Sequence, residues 1–255
     1  MPLPTLAEID YLSCKKLLVS TMQRSMLTRN LDGTYSDPDL DRIVAHTNTY
    51  PTGWPYKTKK VVYSLNADYY RCPEWNSIDW TNSVVLFGCS FTFGIGVCED
   101  ETVSYHLSKL INKPVINLGV PGTGPMYALH NQIIFRNLFP MPSAVVNLWS
   151  SPYRMHEYFN FNDYEHRQVG YPDRTGFSKA WGESPMNPVR HCYFASKAAE
   201  LIWDRTKYVS ATTFPVFDTT MESMGDIRSD LAADQAHPGP NSNLIIAQKL
   251  SNLLG

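Results

Sequence analysis

Apolar positions in this chain fall into short unbroken runs that alternate with stripes at helical spacing. Val84-Val85-Leu86-Phe87 is closed by Gly88 and reads as a buried strand. Val103, Leu107, Leu110 and Ile111 follow at i, i+4, i+7 and i+8, an amphipathic helix for which Asp100 is the expected cap. A second strand is expected over Pro114–Leu118, then a helix from Pro125 to about Phe139, where proline suits the first turn. A third strand is expected over Ala144–Trp149, a helix over Arg190–Arg205 and a strand over Tyr208–Thr212. A short fifth strand is expected at Val216–Asp218. Ile246, Leu250, Leu253 and Leu254 stripe a closing helix. Strands alternating with helices imply a parallel sheet covered on both faces.

The beginning of the chain is less regular. Residues 5–29 carry only a rough helical stripe, and residues 30–56, rich in Asp, Thr, Pro and Gly, read as an irregular excursion. Lys60–Asn66 has strand character and is followed by a loop to Glu74. Residues 1–80 are therefore expected as an extension packed on a core domain of residues 81–255. That domain carries an insertion at about 152–189 with no clear periodicity, which contains a series of aromatics from Tyr153 to Trp181. A long segment after a strand's carboxyl end reads as a substrate platform, or else as a self-packed subdomain or homo-oligomer contact.

Bulk properties narrow the field. The chain has 255 residues, 43% of them hydrophobic, enough for one large α/β domain. Its formal charge of −2 without a basic run lacks the footprint of a nucleic-acid binder. No apolar run approaches the roughly 18 residues of a membrane span. The N-terminus lacks a basic segment leading into an apolar core, so a cytoplasmic setting is expected, or that of a virion or phage-infected cell. The five cysteines are scattered and form no Cys-x-x-Cys pair, which reads as free thiols. His156, Asp163, Glu165 and His166 match no zinc spacing, and no cofactor or metal is expected.

Candidate chemistry sits at two places. Gly88-Cys89-Ser90 follows the first core strand, and a serine there stands at the carboxyl edge, where open α/β sheets bind ligands. Asp234 precedes His237 by three residues, so its carboxylate can hold one ring nitrogen and leave the other as a base. Cys89 is a weaker nucleophile candidate, because its side chain should point away from that of Ser90 into the apolar interior.

Taken together these segments resemble the SGNH (GDSL-like) hydrolase family over roughly residues 82–255. Gly88-Cys89-Ser90-Phe91-Thr92-Phe93-Gly94 is similar to the family's first block, with Cys89 in place of its Asp. Asn117 to Thr123 resembles the second block and Asp234 to His237 the last. The resemblance implies a three-layer α/β/α sandwich of flavodoxin-like type with strand order 2-1-3-4-5. It also implies Ser90 as nucleophile, His237 as base and Asp234 as its orienter. The oxyanion donors would be the N–H groups of Ser90 and Gly122. The third block departs from the pattern, with Ser151 where an asparagine donor should stand, and Asn147 is a more distant substitute. Trp149, Tyr153 and Arg154 are candidate substrate contacts. The segment Asn66 to Arg71 resembles an Asn-x-x-Gly-x-Arg stretch that precedes the first block in some members, with Tyr69 in the glycine position and Arg71 either a loop anchor or, equally, a solvent-exposed side chain. The implied function is ester hydrolysis through an acyl-enzyme, on a small-molecule or glycan ester such as an O-acetylated carbohydrate. The alternative is a non-catalytic carbohydrate-binding or virion-associated module that keeps the fold.

Overall fold

The computed structural model describes residue 17 and residues 21–46, 54–160, 165–170, 186–214, 221–225 and 227–255. Before the central sheet come a helix α1 (Thr21–Met26), a small antiparallel pair β1 (Thr28–Arg29) and β2 (Tyr35–Ser36), and a helix α2 (Pro38–His46). The strand expected at Lys60–Asn66 is reduced to one bridge, Tyr63 with Tyr35.

The core follows as β3 (Val84–Gly88), α3 (Ser90–Phe93), α4 (Val103–Ile111), β4 (Val115–Gly119), α5 (Pro125–Leu138) and β5 (Ala144–Trp149). An antiparallel pair, β6 (Arg154–Asn160) and β7 (Glu165–Gly170), rises from the insertion. Then come α6 (Met186–Ile202), β8 (Lys207–Thr212), β9 (Glu222–Ser223) and α7 (Pro240–Leu254). The five central strands are all parallel, in the order β4-β3-β5-β8-β9, which is the 2-1-3-4-5 order expected. The fifth strand lies at Glu222–Ser223; residues 216–218, where it was expected, fall outside the described residues.

Every residue of β3 is buried, as a parallel strand covered on both faces must be. Val85, Phe87 and Val145 pack beneath Ile134 and Phe135 of α5 and Trp203 at the end of α6. Leu86, Val146 and Leu148 face Val103 and Leu107 of α4 and Ile246 and Leu250 of α7. The molecule is thus an α/β/α sandwich, and each fully buried Leu, Ile or Phe in it contributes about 1.5–3 kcal/mol. A third buried cluster joins Leu40, Tyr56 and Tyr63 from the first part of the chain to Phe93, Val97 and Ala233 beside the carboxyl edge of the sheet.

Two helix starts differ from expectation. Thr102, not Asp100, caps α4, its Oγ1 accepting from Tyr105 N at 3.1 Å. Asp100 lies in the preceding short 3-10 turn. At α7, Gly239 and Pro240 take the cap and first positions as expected, but the side-chain cap is remote in sequence. The Asp230 carboxylate accepts from Asn241 N at 2.9 Å and Ser242 N at 2.8 Å.

Candidate active site

β3 delivers Ser90 to the carboxyl edge by way of Gly88 and Cys89, and α3 then lies across the strand ends in very close contact. An ideal Cβ at Gly88 would fall 2.1 Å from Thr92 Oγ1 and 2.8 Å from Leu148 O. One at Gly119 would fall 2.4 Å from Phe93 N. Only glycine fits either position. Asn117, buried in β4, donates to Thr92 O at 2.8 Å and accepts from Gly119 N at 3.0 Å, which ties α3 to its bed. Cys89 is buried at 2% exposure, as expected of an apolar thiol. The Ser90 side chain is buried as well, and its hydroxyl has no hydrogen-bond partner among the described residues, the His237 ring included.

Asp234 and His237 occupy a tight turn pinned by Ala232 N to His237 O at 3.0 Å. Gln235 within it takes φ +58°. The Asp234 Oδ1 accepts from the backbone N–H groups of Ala236 and His237, each at 3.0 Å, while Oδ2 pairs with His237 Nδ1. Burial alone would raise the Asp234 pKa. The hydrogen bond and charge of His237, with the two backbone N–H groups, outweigh it and hold the carboxyl below its ordinary range. With Nδ1 engaged, Nε2 is the ring nitrogen left to act as an acceptor. The two candidate segments are neighbours: the Phe91 ring meets the His237 ring edge-on at 5.6 Å, and Ala233 N donates to Gly96 O at 2.9 Å.

Gly122 adopts φ +75° in the turn after β4, a conformation that favours glycine. No hydrogen bond occupies the N–H of Ser90 or of Gly122 among the described residues. Arg154 Nη1 donates to Thr123 O at 3.4 Å, which brings the start of the insertion against this turn.

The end of β5 reorders the sequence expectations. Ser151 is half-buried and committed to a turn, its Oγ accepting from Tyr153 N at 3.4 Å. Its neighbour Ser150 is 4% exposed, and that hydroxyl has no partner among the described residues. Gly88, Leu148 and Ala211 are in register on β3, β5 and β8. Two residues beyond each, past the strand ends, come Ser90, Ser150 and Thr213, each a buried hydroxyl without a partner among the described residues. Asn147 stays in the sheet interior, fully buried, with both amide atoms unpaired among the described residues. Trp149 is not a substrate contact. At 1% exposure it packs with Leu129 of α5 and Ala195 of α6, and its indole N–H donates to Ser210 Oγ at 2.9 Å. Strand alternation turns it to the helix-covered face. Tyr153 is exposed, whereas the side chains of the later insertion aromatics and of His156, Asp163, Glu165 and His166 lie outside the described residues.

Residues that the sequence did not mark as functional complete the surroundings. The Phe214 ring lies tilted against that of Phe91, their centroids 5.5 Å apart. Tyr63 accepts from Gly96 N at 3.0 Å. Arg71 is buried rather than solvent-exposed, and it anchors residues 93–97 rather than its own loop.

No family model and no curated protein matches this sequence. Solved structures do. A G-D-S-L family protein from Desulfitobacterium hafniense DCB-2 is similar over 68% of this chain and 99% of its own, at 13% identity and a TM-score of 0.42. An acetyl xylan esterase from the rumen bacterium Butyrivibrio proteoclasticus is similar over 69% of this chain and 64% of its own, at 11% identity and a TM-score of 0.45. AlinE4, an SGNH-hydrolase family esterase, is similar over 55% of this chain and 62% of its own, at 15% identity and a TM-score of 0.36.

Proposed function

We propose that this protein is a serine ester hydrolase that works through an acyl-enzyme on Ser90. The observation that carries the reading is a buried serine hydroxyl with no partner among the described residues, next in the chain to Phe91, whose ring meets that of a histidine held at Nδ1 by Asp234. In the reaction the Ser90 Oγ attacks the ester carbonyl carbon while its proton passes to His237 Nε2. The tetrahedral oxyanion is held by the N–H groups of Ser90 and Gly122. A third donor comes from a hydroxyl at the end of β5, from Ser151 by its place in the third block or from Ser150 by its burial and missing partner. The alkoxide leaves with the proton from His237. Water, deprotonated by the same nitrogen, then releases the acid and restores Ser90. Small acyl groups, such as the O-acetyl groups of a glycan, are the proposed substrates. Phe91 stands beside His237 with Phe214 against its ring, and the two would wall the acyl side of the cleft.

The test is hydrolysis of p-nitrophenyl acetate by wild type and Ser90→Ala. Turnover by wild type and only background from the variant are expected. Equal rates, or no Ser90-dependent turnover across several acyl esters, would refute the proposal and favour the carbohydrate-binding module.

A further inference from the structure

Arg71 lies before the hydrolase-like core, yet its side chain is fully buried beneath the segment that follows the nucleophile's helix. Nη1 donates to Phe93 O at 3.1 Å and to Gly94 O at 2.7 Å, and Nη2 donates to Val97 O at 3.0 Å. Nε donates to Glu99 Oε2 at 2.8 Å. The guanidinium also lies over the rings of Tyr63, at 4.9 Å, and Phe93, at 5.7 Å. A buried charge is costly unless its donors are matched, and here one planar fork collects three carbonyls and a carboxylate.

The segment so held is a poor structure on its own. Gly94 and Gly96 both take positive φ, and the five carbonyls of residues 93–97 have no following helical turn or strand to enter. Arg71 takes three of them. Another, Gly96 O, accepts from Ala233 N at 2.9 Å, one residue before Asp234. The Gly96 N–H donates to the buried Tyr63 hydroxyl at 3.0 Å. Burial pushes the Tyr63 pKa up to about 12, so at neutral pH it remains a hydroxyl. A continuous chain of contacts therefore runs from Arg71 and Tyr63 through Gly96 to the turn that carries Asp234 and His237. At its other end the same segment hydrogen-bonds Ser90 O through Gly94 N at 2.9 Å.

We propose that Arg71 and Tyr63 are positioning residues that set the turn of Asp234 and His237 in register with Ser90, so that the segment before the core domain is part of the catalytic apparatus. This rests on the serine-hydrolase reading for its kinetic readout, but not for its spectroscopic one. Neither residue touches the reacting atoms; both act through the backbone of residues 93–97.

The experiment compares wild type, Tyr63→Phe and Arg71→Lys. It measures kcat and KM for p-nitrophenyl acetate, thermal unfolding, and the proton resonance of His237 Nδ1. Tyr63→Phe removes only the acceptor of the Gly96 N–H, so it tests the idea even where Arg71→Lys folds poorly. Both variants, assayed well below their unfolding temperatures, should lose roughly tenfold or more in kcat with KM within about twofold, since small misplacements of catalytic groups act on kcat. The His237 resonance should move in both. Wild-type kcat and an unmoved resonance in folded Tyr63→Phe would overturn the proposal, as would lowered thermal stability with both of those unchanged. If wild type itself shows no Ser90-dependent turnover, the hydrolase reading fails separately. The resonance alone then decides: a shift in Tyr63→Phe supports the strut, and an unmoved signal overturns it.

Discussion

Gly119→Ala is the sharpest test of how the proposed nucleophile Ser90 is held. Gly119 ends β4, in register with Gly88, and α3 lies directly on it. A methyl group there would fall 2.4 Å from Phe93 N, 2.8 Å from Thr92 Cβ and 2.9 Å from Thr92 C. Two of these three atoms belong to backbone, so no change of rotamer relieves the overlap. Carbon contacts settle at about 3.5 Å, which means that α3 must lift by about 1 Å. Overpacking of this kind costs about 1–3 kcal/mol, which lowers the melting temperature of a domain this size by about 2–12 °C. Ser90 is the first residue of α3, so its Oγ moves with the helix. A displacement of about 1 Å at a catalytic group costs on the order of 100-fold in turnover. The assay is kcat and KM for p-nitrophenyl acetate alongside thermal unfolding by circular dichroism. Gly225→Ala serves as a control: Gly225 has φ +71° and a Cβ added there would meet nothing within 4 Å among the described residues, so only a backbone penalty of about 1–2 kcal/mol applies and turnover should hold. A Gly119→Ala protein with the wild-type melting temperature and kcat would refute the close bedding of α3 on β4.

Two further outcomes follow from the same geometry. Burial depresses the pKa of His130 in α5 from its ordinary 6.5 to about 4. The unfolded chain therefore takes up a proton between those values that the folded chain refuses, so this contribution is complete above pH 6.5 and falls away as the pH drops toward 4. It is worth about 3 kcal/mol at that limit, and urea titrations at pH 7 and pH 4 should show His130→Gln losing less stability than wild type; equal losses would refute it. At the oxyanion, Ser151→Ala should lower turnover by no more than about tenfold, whereas Ser150→Ala should lower it further, toward the 100-fold typical of a strong donor. The reverse order would return the role to Ser151.

The alternation of strands and helices was legible in the sequence because each β segment is covered on both faces, which leaves a short apolar run, and each helix on one, which leaves a stripe. The pairing of Asp234 with His237 was legible for a similar reason: three residues of separation within a turn make it a local event. The strand order of the sheet entered through resemblance, and the observed pairing matches it. What the sequence alone could not decide depended on residues brought together from far apart. Trp149 was misread as a substrate contact because its position near a strand end is visible in sequence, while the face covered by α5 and α6 is not. Ser150 and Ser151 are indistinguishable as a dipeptide; only the end of β5 buries one hydroxyl and gives the other to a turn. The cap of α7 is Asp230, outside the usual cap position, because a preceding loop folds its carboxylate back onto the helix. Arg71 looked equally suited to solvent, since nothing in its own segment reveals the three carbonyls, the carboxylate and the two rings that surround it. Local chemistry is written into neighbouring residues, whereas burial of a charge is decided only when the whole chain has closed around it.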